Sequence, residues 1–171
     1  GINPYRGLKL KSNVHFKKAM DDDNSTFTQW KNEFNFYTTP NLPVNLTFAL
    51  RVGVNTNFGE FPYFYSNTIG GRDEVRGFRR TRFAGRTALY MNTEVRFAIS
   101  QVRNYVFSGN YGLHGFIDNG KIRADGKDSR LIHTGYGGGA WLSLFNMVIL
   151  SGDVAFSPEG TYYNVRMGHF F

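Results

Sequence analysis

The sequence contains no cysteine, which excludes disulfide frameworks, thiolate metal sites and thiol nucleophiles and leaves the redox compartment open. No apolar run approaches the roughly 20 residues of a transmembrane helix. The first residues, GINPYRG, lack the basic-then-apolar layout of a secretory signal. No segment shows a convincing helical period, and the composition is not that of a helical protein rich in Leu, Ala, Glu and Lys. The chain is therefore either soluble or a processed piece of something that crosses membranes by another route.

What is present is a strand-forming composition. Among 171 residues there are 17 Phe, 10 Tyr and 20 Gly, a bias toward β-structure. The length suits one domain, residues 1–171, with a sizeable core, and the formal net charge of +7 raises the question of an anionic partner. Eight stretches alternate with period two, starting at Leu8, Thr26, Val44, Ala88, Tyr105, Leu131, Met147 and Thr161. In the third, Val44, Leu46, Phe48, Leu50, Val52 and Val54 share one face, while Asn45, Thr47, Arg51 and Asn55 share the other. Connections alternate between long or polar (21–25, 56–86, 119–130) and tight (40–43, 101–104, 145–147), as the two rims of an outer-membrane barrel do.

Two architectures fit: a soluble barrel with its apolar face inward, and a transmembrane barrel with that face outward. Parity alone does not separate them, because Lys9, Lys11, His15, Lys17, Lys31, Glu33, Glu94, Arg96 and Asp153 could face either bulk water or a lumen. Length favours the membrane, since each run has about the ten residues needed to cross a tilted bilayer. So does the gathering of Phe36, Tyr37, Tyr105, Phe107, Tyr162, Tyr163, Phe170 and Phe171 near strand ends, where aromatic girdles lie. The expected fold is an all-β, antiparallel, eight-stranded transmembrane barrel with one long loop at about 56–86.

That loop carries Gly70, Gly71 and then Val75-Arg76-Gly77-Phe78, which resembles the VRGF/Y loop signature of the BamA/TamA-like outer-membrane insertase and translocator superfamily. The superfamily also covers two-partner-secretion transporters and the bacterial surface antigen domain. Pro4-Tyr5-Arg6-Gly7 resembles its P-x-x-G at the start of a strand, and Phe116-Ile117-Asp118-Asn119-Gly120 its F-x-D-x-G strand end. Gly168 before Phe170 and Phe171 is similar to the sorting signal on the last strand of outer-membrane barrels. With three strands before the signature loop and five after it, the layout resembles the C-terminal half of a sixteen-stranded barrel.

The resemblance implies an integral protein of a bacterial-type outer membrane, in contact with its lipid, that inserts or translocates client outer-membrane or secreted proteins without nucleotide hydrolysis. Periplasmic domains or accessory subunits are the further partners it implies. It also implies that the loop enters the lumen and that Arg76 pairs there with Glu94 and Asp118. The other loop arginines, Arg72, Arg79, Arg80, Arg82 and Arg86, are then expected to answer internal acids rather than phosphates. With no other half to pair with, the last strand is expected to close on the first.

Other chemistry is not signalled. His15, His114, His133 and His169 are scattered without i, i+4 ligand spacing. Asp21-Asp22-Asp23-Asn24 lacks the glycine and distant glutamate of a calcium loop. No serine sits in a G-x-S-x-G elbow, and Gly135 to Gly139 are followed by no G-K-[ST], so they are expected to let a sheet bend or a loop pass close. We expect no enzyme, cofactor or metal, and no nucleic-acid partner, because the densest arginines fall in one loop rather than on an aromatic platform. The alternatives are a small barrel anchoring another domain and a soluble ligand-binding barrel.

Overall fold

A computed structural model describes residues 6–18, 26–103, 108–124, 131–145 and 148–168. Eight long strands follow one another: β1 (Gly7–Lys18), β2 (Thr26–Thr38), β3 (Leu46–Gly59), β6 (Thr87–Arg103), β7 (Ser108–Arg123), β8 (His133–Leu144), β9 (Val148–Ser157) and β10 (Gly160–Gly168). Two short ones, β4 (Asn67–Ile69) and β5 (Phe83–Gly85), lie inside the loop between β3 and β6 with a single 3-10 turn, Tyr63–Tyr65. Among the described residues no helix is long and apolar enough to cross a membrane, which has no bearing on crossing by strands.

The long strands form one antiparallel sheet in sequence order. Its registers, such as Asn35 opposite Arg51, Ala49 opposite Glu94 and Asn92 opposite Asp118, gather these amides, carboxylates and cations on one face. Because side chains alternate, the remaining residues form an almost continuous apolar face. Phe16 is 84% exposed, Ile117 53% and Val165 69%, and Leu10, Phe34, Phe48, Leu113 and Leu150 are also exposed. Asn35, Asn57, Asn92, Glu94, Arg96 and Asp118 are buried on the other face. A water-soluble barrel would reverse these two environments; a membrane barrel requires them.

Three expectations change. The sheet does not close: β1 and β10 do not pair, so among the described residues it has two free edges. An occupied interior works against closure. Eight strands enclose a space that their own side chains just fill, and here the concave face also holds the loop between β3 and β6. That loop starts after Gly59, because β3 continues past Asn55. Finally, Tyr37 is buried on the inner face and Tyr162 is half-buried there, since an adjacent aromatic pair cannot point the same way from one strand; Phe36 and Tyr163 take the outer positions. Tyr105, Phe107, Phe170, Phe171, Pro4, Tyr5, Asp21 to Asn24 and His169 lie outside the described residues.

Candidate functional site

The loop between β3 and β6 folds back along the inner face. Its first part rests on β2 and β3. The Phe61 and Tyr65 rings lie 5.8 and 4.9 Å from that of Phe27, Gln29 donates to Asn67, and Asn57 donates to the Tyr65 carbonyl. β4 and β5 then pair, Ile69 opposite Phe83, as a stem carrying the tip 70–82. Gly71 N–H donates to the Phe78 carbonyl at 3.0 Å, and Gly71 bridges Val75, so the tip is a compact turn.

Each residue of Val75-Arg76-Gly77-Phe78 has its own task. Val75 and Phe78 are buried with Ile69 against Ala88, Tyr90 and Ile122 from the inner face of β6 and β7, and Phe83 packs at the margin. Gly77 has φ of +92°, a backbone conformation costly for any residue with a Cβ, and lies against the Phe156 carbonyl of β9. Ser157 donates to the Gly77 carbonyl from the same strand.

Arg76 is 4% exposed, and its guanidinium is divided between two carboxylates. Nε donates to Asp118 Oδ2 at 2.7 Å and Nη2 to Asp118 Oδ1 at 2.9 Å, a bidentate fork, while Nη1 donates to Glu94 Oε2 at 2.9 Å. The Arg76 backbone N–H also donates to Asp118 at 3.0 Å. Burial works against the charge of Arg76. The hydrogen bonds and charge of Asp118, together with Glu94, outweigh it and hold the arginine's pKa above its ordinary value. Glu94 keeps a second cation, Arg96 Nε at 2.7 Å, so the buried cluster contains two arginines and two carboxylates. A planar fork can serve two acids at once; a lysine ammonium cannot match that geometry.

The F-x-D-x-G stretch supplies the other half of the fit. Phe116, Asp118 and Gly120 all point inward from β7. The Arg76 guanidinium lies over the Phe116 ring at 3.5 Å from its centroid. A side chain at Gly120 would press on Val75 and Ile69, and one at Gly135 of β8 would collide with the Arg76 backbone carbonyl. Gly135 is where the loop passes close. Three participants escape sequence reasoning: Phe116 as a stacking surface, Asn92, which donates to the Glu74 carbonyl at 2.6 Å, and Arg96. Each leaves a signal of parity: Asn92 and Arg96 flank Glu94 at two residues and Phe116 precedes Asp118 by two, so each shares its acid's face.

The remaining loop arginines do not all answer acids. Arg82 pairs with Glu159 at 2.9 Å, in the open. Arg72 lies 3.9 Å from Asp73, and Arg86 donates to the Asn57 and Gly59 carbonyls. Arg79 and Arg80 form no ion pair among the described residues. The physical reason is position: only the tip residue reaches the depth at which β6 and β7 present carboxylates. Gly168 ends β10 with φ of +142°, far from this cluster in sequence and in no contact with it.

No curated protein matches the chain significantly. Residues 2–142 match the family described as haemolysin secretion/activation protein ShlB/FhaC/HecB, a span that includes the docked loop, both carboxylates and the glycine of β8 beneath the tip. With an eight-stranded sheet whose outer face is apolar and whose inner face holds this loop, the chain belongs to the ShlB/FhaC/HecB family of outer-membrane protein-secretion transporters.

Proposed function

We propose that the eight strands are part of the wall of a wider outer-membrane barrel, the second half of about sixteen strands, through which unfolded polypeptides pass to the cell exterior. The observation that carries this reading is the docked loop. Its tip occupies the concave face of β6 to β9, held by Arg76 on Glu94 and Asp118, and a wall that also leaves room for a moving chain needs more circumference than eight strands provide. The apolar outer face meets lipid, and the loop sets the shape of the path. No bond is made or broken in this process, so the chain acts as a conduit rather than an enzyme. Periplasmic domains or accessory subunits would deliver the client.

The test is export by cells carrying the full-length protein, with secreted polypeptide measured in the medium and barrel abundance measured in the membrane. Arg76→Ala is expected to reduce export while barrel abundance stays near wild type. Undiminished export at equal abundance would overturn the role given to the loop. Planar-bilayer recordings add a second readout: a filled eight-stranded barrel would conduct almost nothing, whereas a wider wall gives clear single-channel steps.

The free edges of β1 and β10 favour a second reading, insertion and assembly of client barrels in the BamA manner. An unpaired strand edge is a template for an incoming strand. Reconstitution into liposomes with an unfolded outer-membrane protein separates the two readings. Client insertion that is lost when β10 is altered supports assembly; export from cells without any such insertion supports secretion alone.

A further inference from the structure

Beside the docked tip the loop and β10 enclose a recess of about 370 Å³, lined among others by Gly71, Arg72, Asp73, Arg79, Arg80 and Tyr162. It lies on the inner side of the sheet. Asn164, also in its wall, donates to the inward Asp153 of β9 at 2.9 Å, and Tyr162 sits opposite the fully buried Ala155. The apolar, lipid-facing side of the sheet is the opposite one.

The charges in the recess are uneven. Three arginines stand against Asp73, with Glu74 within electrostatic reach of Arg80. Arg72 is committed in part, to Asp73 at 3.9 Å and to the Val165 carbonyl at 3.4 Å. Its own carbonyl accepts from Arg166 at 2.6 Å, which pins the recess wall to β10. Arg79 and Arg80 are exposed, and among the described residues their guanidinium groups make neither an ion pair nor a hydrogen bond. Two adjacent cations held over a concave surface, with a phenol and an amide alongside, form a receptor for carboxylates.

We propose that this recess binds acidic segments of the polypeptide in transit, the Arg79 and Arg80 forks receiving Asp or Glu side chains while Tyr162 and Asn164 contribute neutral hydrogen bonds. The inference rests on the secretion reading above. It makes the recess a waypoint on the inner wall. A weak, multi-site hold of this kind slows backsliding without trapping the chain.

The experiment titrates the purified full-length protein in detergent with fluorescent hexaglutamate, hexalysine and inorganic phosphate. Hexaglutamate is expected to bind and hexalysine not to bind. In Arg79→Gln/Arg80→Gln, hexaglutamate affinity should fall by about tenfold or more, the scale of losing charge-assisted pairs, and Arg80→Gln alone should give part of that loss. Wild-type behaviour in heat-shift gels checks that the variants are folded. Affinity within twofold of wild type in the double variant, or displacement of hexaglutamate by phosphate at equal charge concentration, overturns the proposal. Undiminished export by Arg76→Ala at equal barrel abundance would overturn the role given to the loop in secretion and leave this titration unaffected. An unchanged titration would remove the recess as a site and leave export unaffected.

Discussion

Replacing Arg76 by alanine tests the reasoning most directly. The substitution deletes three side-chain hydrogen bonds, at 2.7, 2.9 and 2.9 Å, and the contact with Phe116. It also leaves Asp118, which has no exposure, with no cation and only the backbone N–H of residue 76, and leaves Glu94, 1% exposed, with Arg96 as its ion-pair partner. Breaking a buried pair in this way costs about 3–5 kcal/mol, mostly through the carboxylate left without its partner. The chain need not bear that cost, because lifting the loop readmits water to both acids. The expected result is therefore loop release rather than unfolding of the sheet.

At about 1.36 kcal/mol per tenfold, the undocked population should rise by roughly two to four orders of magnitude. Chymotrypsin cleavage after Phe78, itself 4% exposed when docked, reads that population when opening is fast relative to cleavage, and mass spectrometry identifies the cut bond. Arg76→Lys should fall between wild type and alanine, since an ammonium supplies charge but not the fork. Cleavage in Arg76→Ala within about threefold of wild type, far below the two to four orders expected, would refute the buried triad as the loop's anchor.

Gly135→Ala should release the loop with every charge still in place, because its methyl group meets the Arg76 carbonyl; the same cleavage assay checks it, and a docked loop would mean that β8 can yield. Ile117→Arg, on the outer face near the middle of β7, should cost about 2–4 kcal/mol in denaturant titrations of the protein refolded in lipid vesicles. A shift below about 1 kcal/mol would place that residue outside the hydrocarbon. Arg82→Ala should change neither thermal stability nor cleavage measurably, since its pair with Glu159 is half exposed on the arginine side and such pairs contribute about 0–1 kcal/mol.

The strands were legible because a membrane barrel imposes strict alternation, and that alternation also sorts Glu94 and Asp118 onto the inner face together. It fails where the backbone departs from it. β6 continues to Arg103, but its register shifts between Ala98 and Ser100, so the pattern breaks at Ile99 although pairing goes on. β4 and β5 have three residues each, too few to show any period, and the stem of the loop is invisible in the sequence for that reason. The run of arginines misled in a different way. Composition shows six cations in one segment, yet only depth within the lumen separates Arg76, clamped by two acids, from Arg79 and Arg80, which are exposed and form no ion pair among the described residues.

The open sheet and the loop explain each other. A sheet with two free edges has no ring of hydrogen bonds to fix its curvature, and the loop supplies ties across its concave side. Its first part is attached to β1 through Lys17 over the Tyr65 ring at 5.3 Å, and to β2 and β3 through Phe27 and Asn57. Its tip is attached to β6 and β7 through Glu94 and Asp118, and to β9 through Ser157. Its arginines reach the last hairpin at Glu159 and the β10 backbone at Val165. The strength of these ties is graded: buried and ionic at the centre, exposed and single at the margins. The edges are therefore less tightly held than the centre. Releasing the tip should loosen the whole arc, and hydrogen exchange in Arg76→Ala should rise along β9 and β10 as well as in the loop. Protection in β9 and β10 equal to wild type would mean that the sheet holds its curvature unaided.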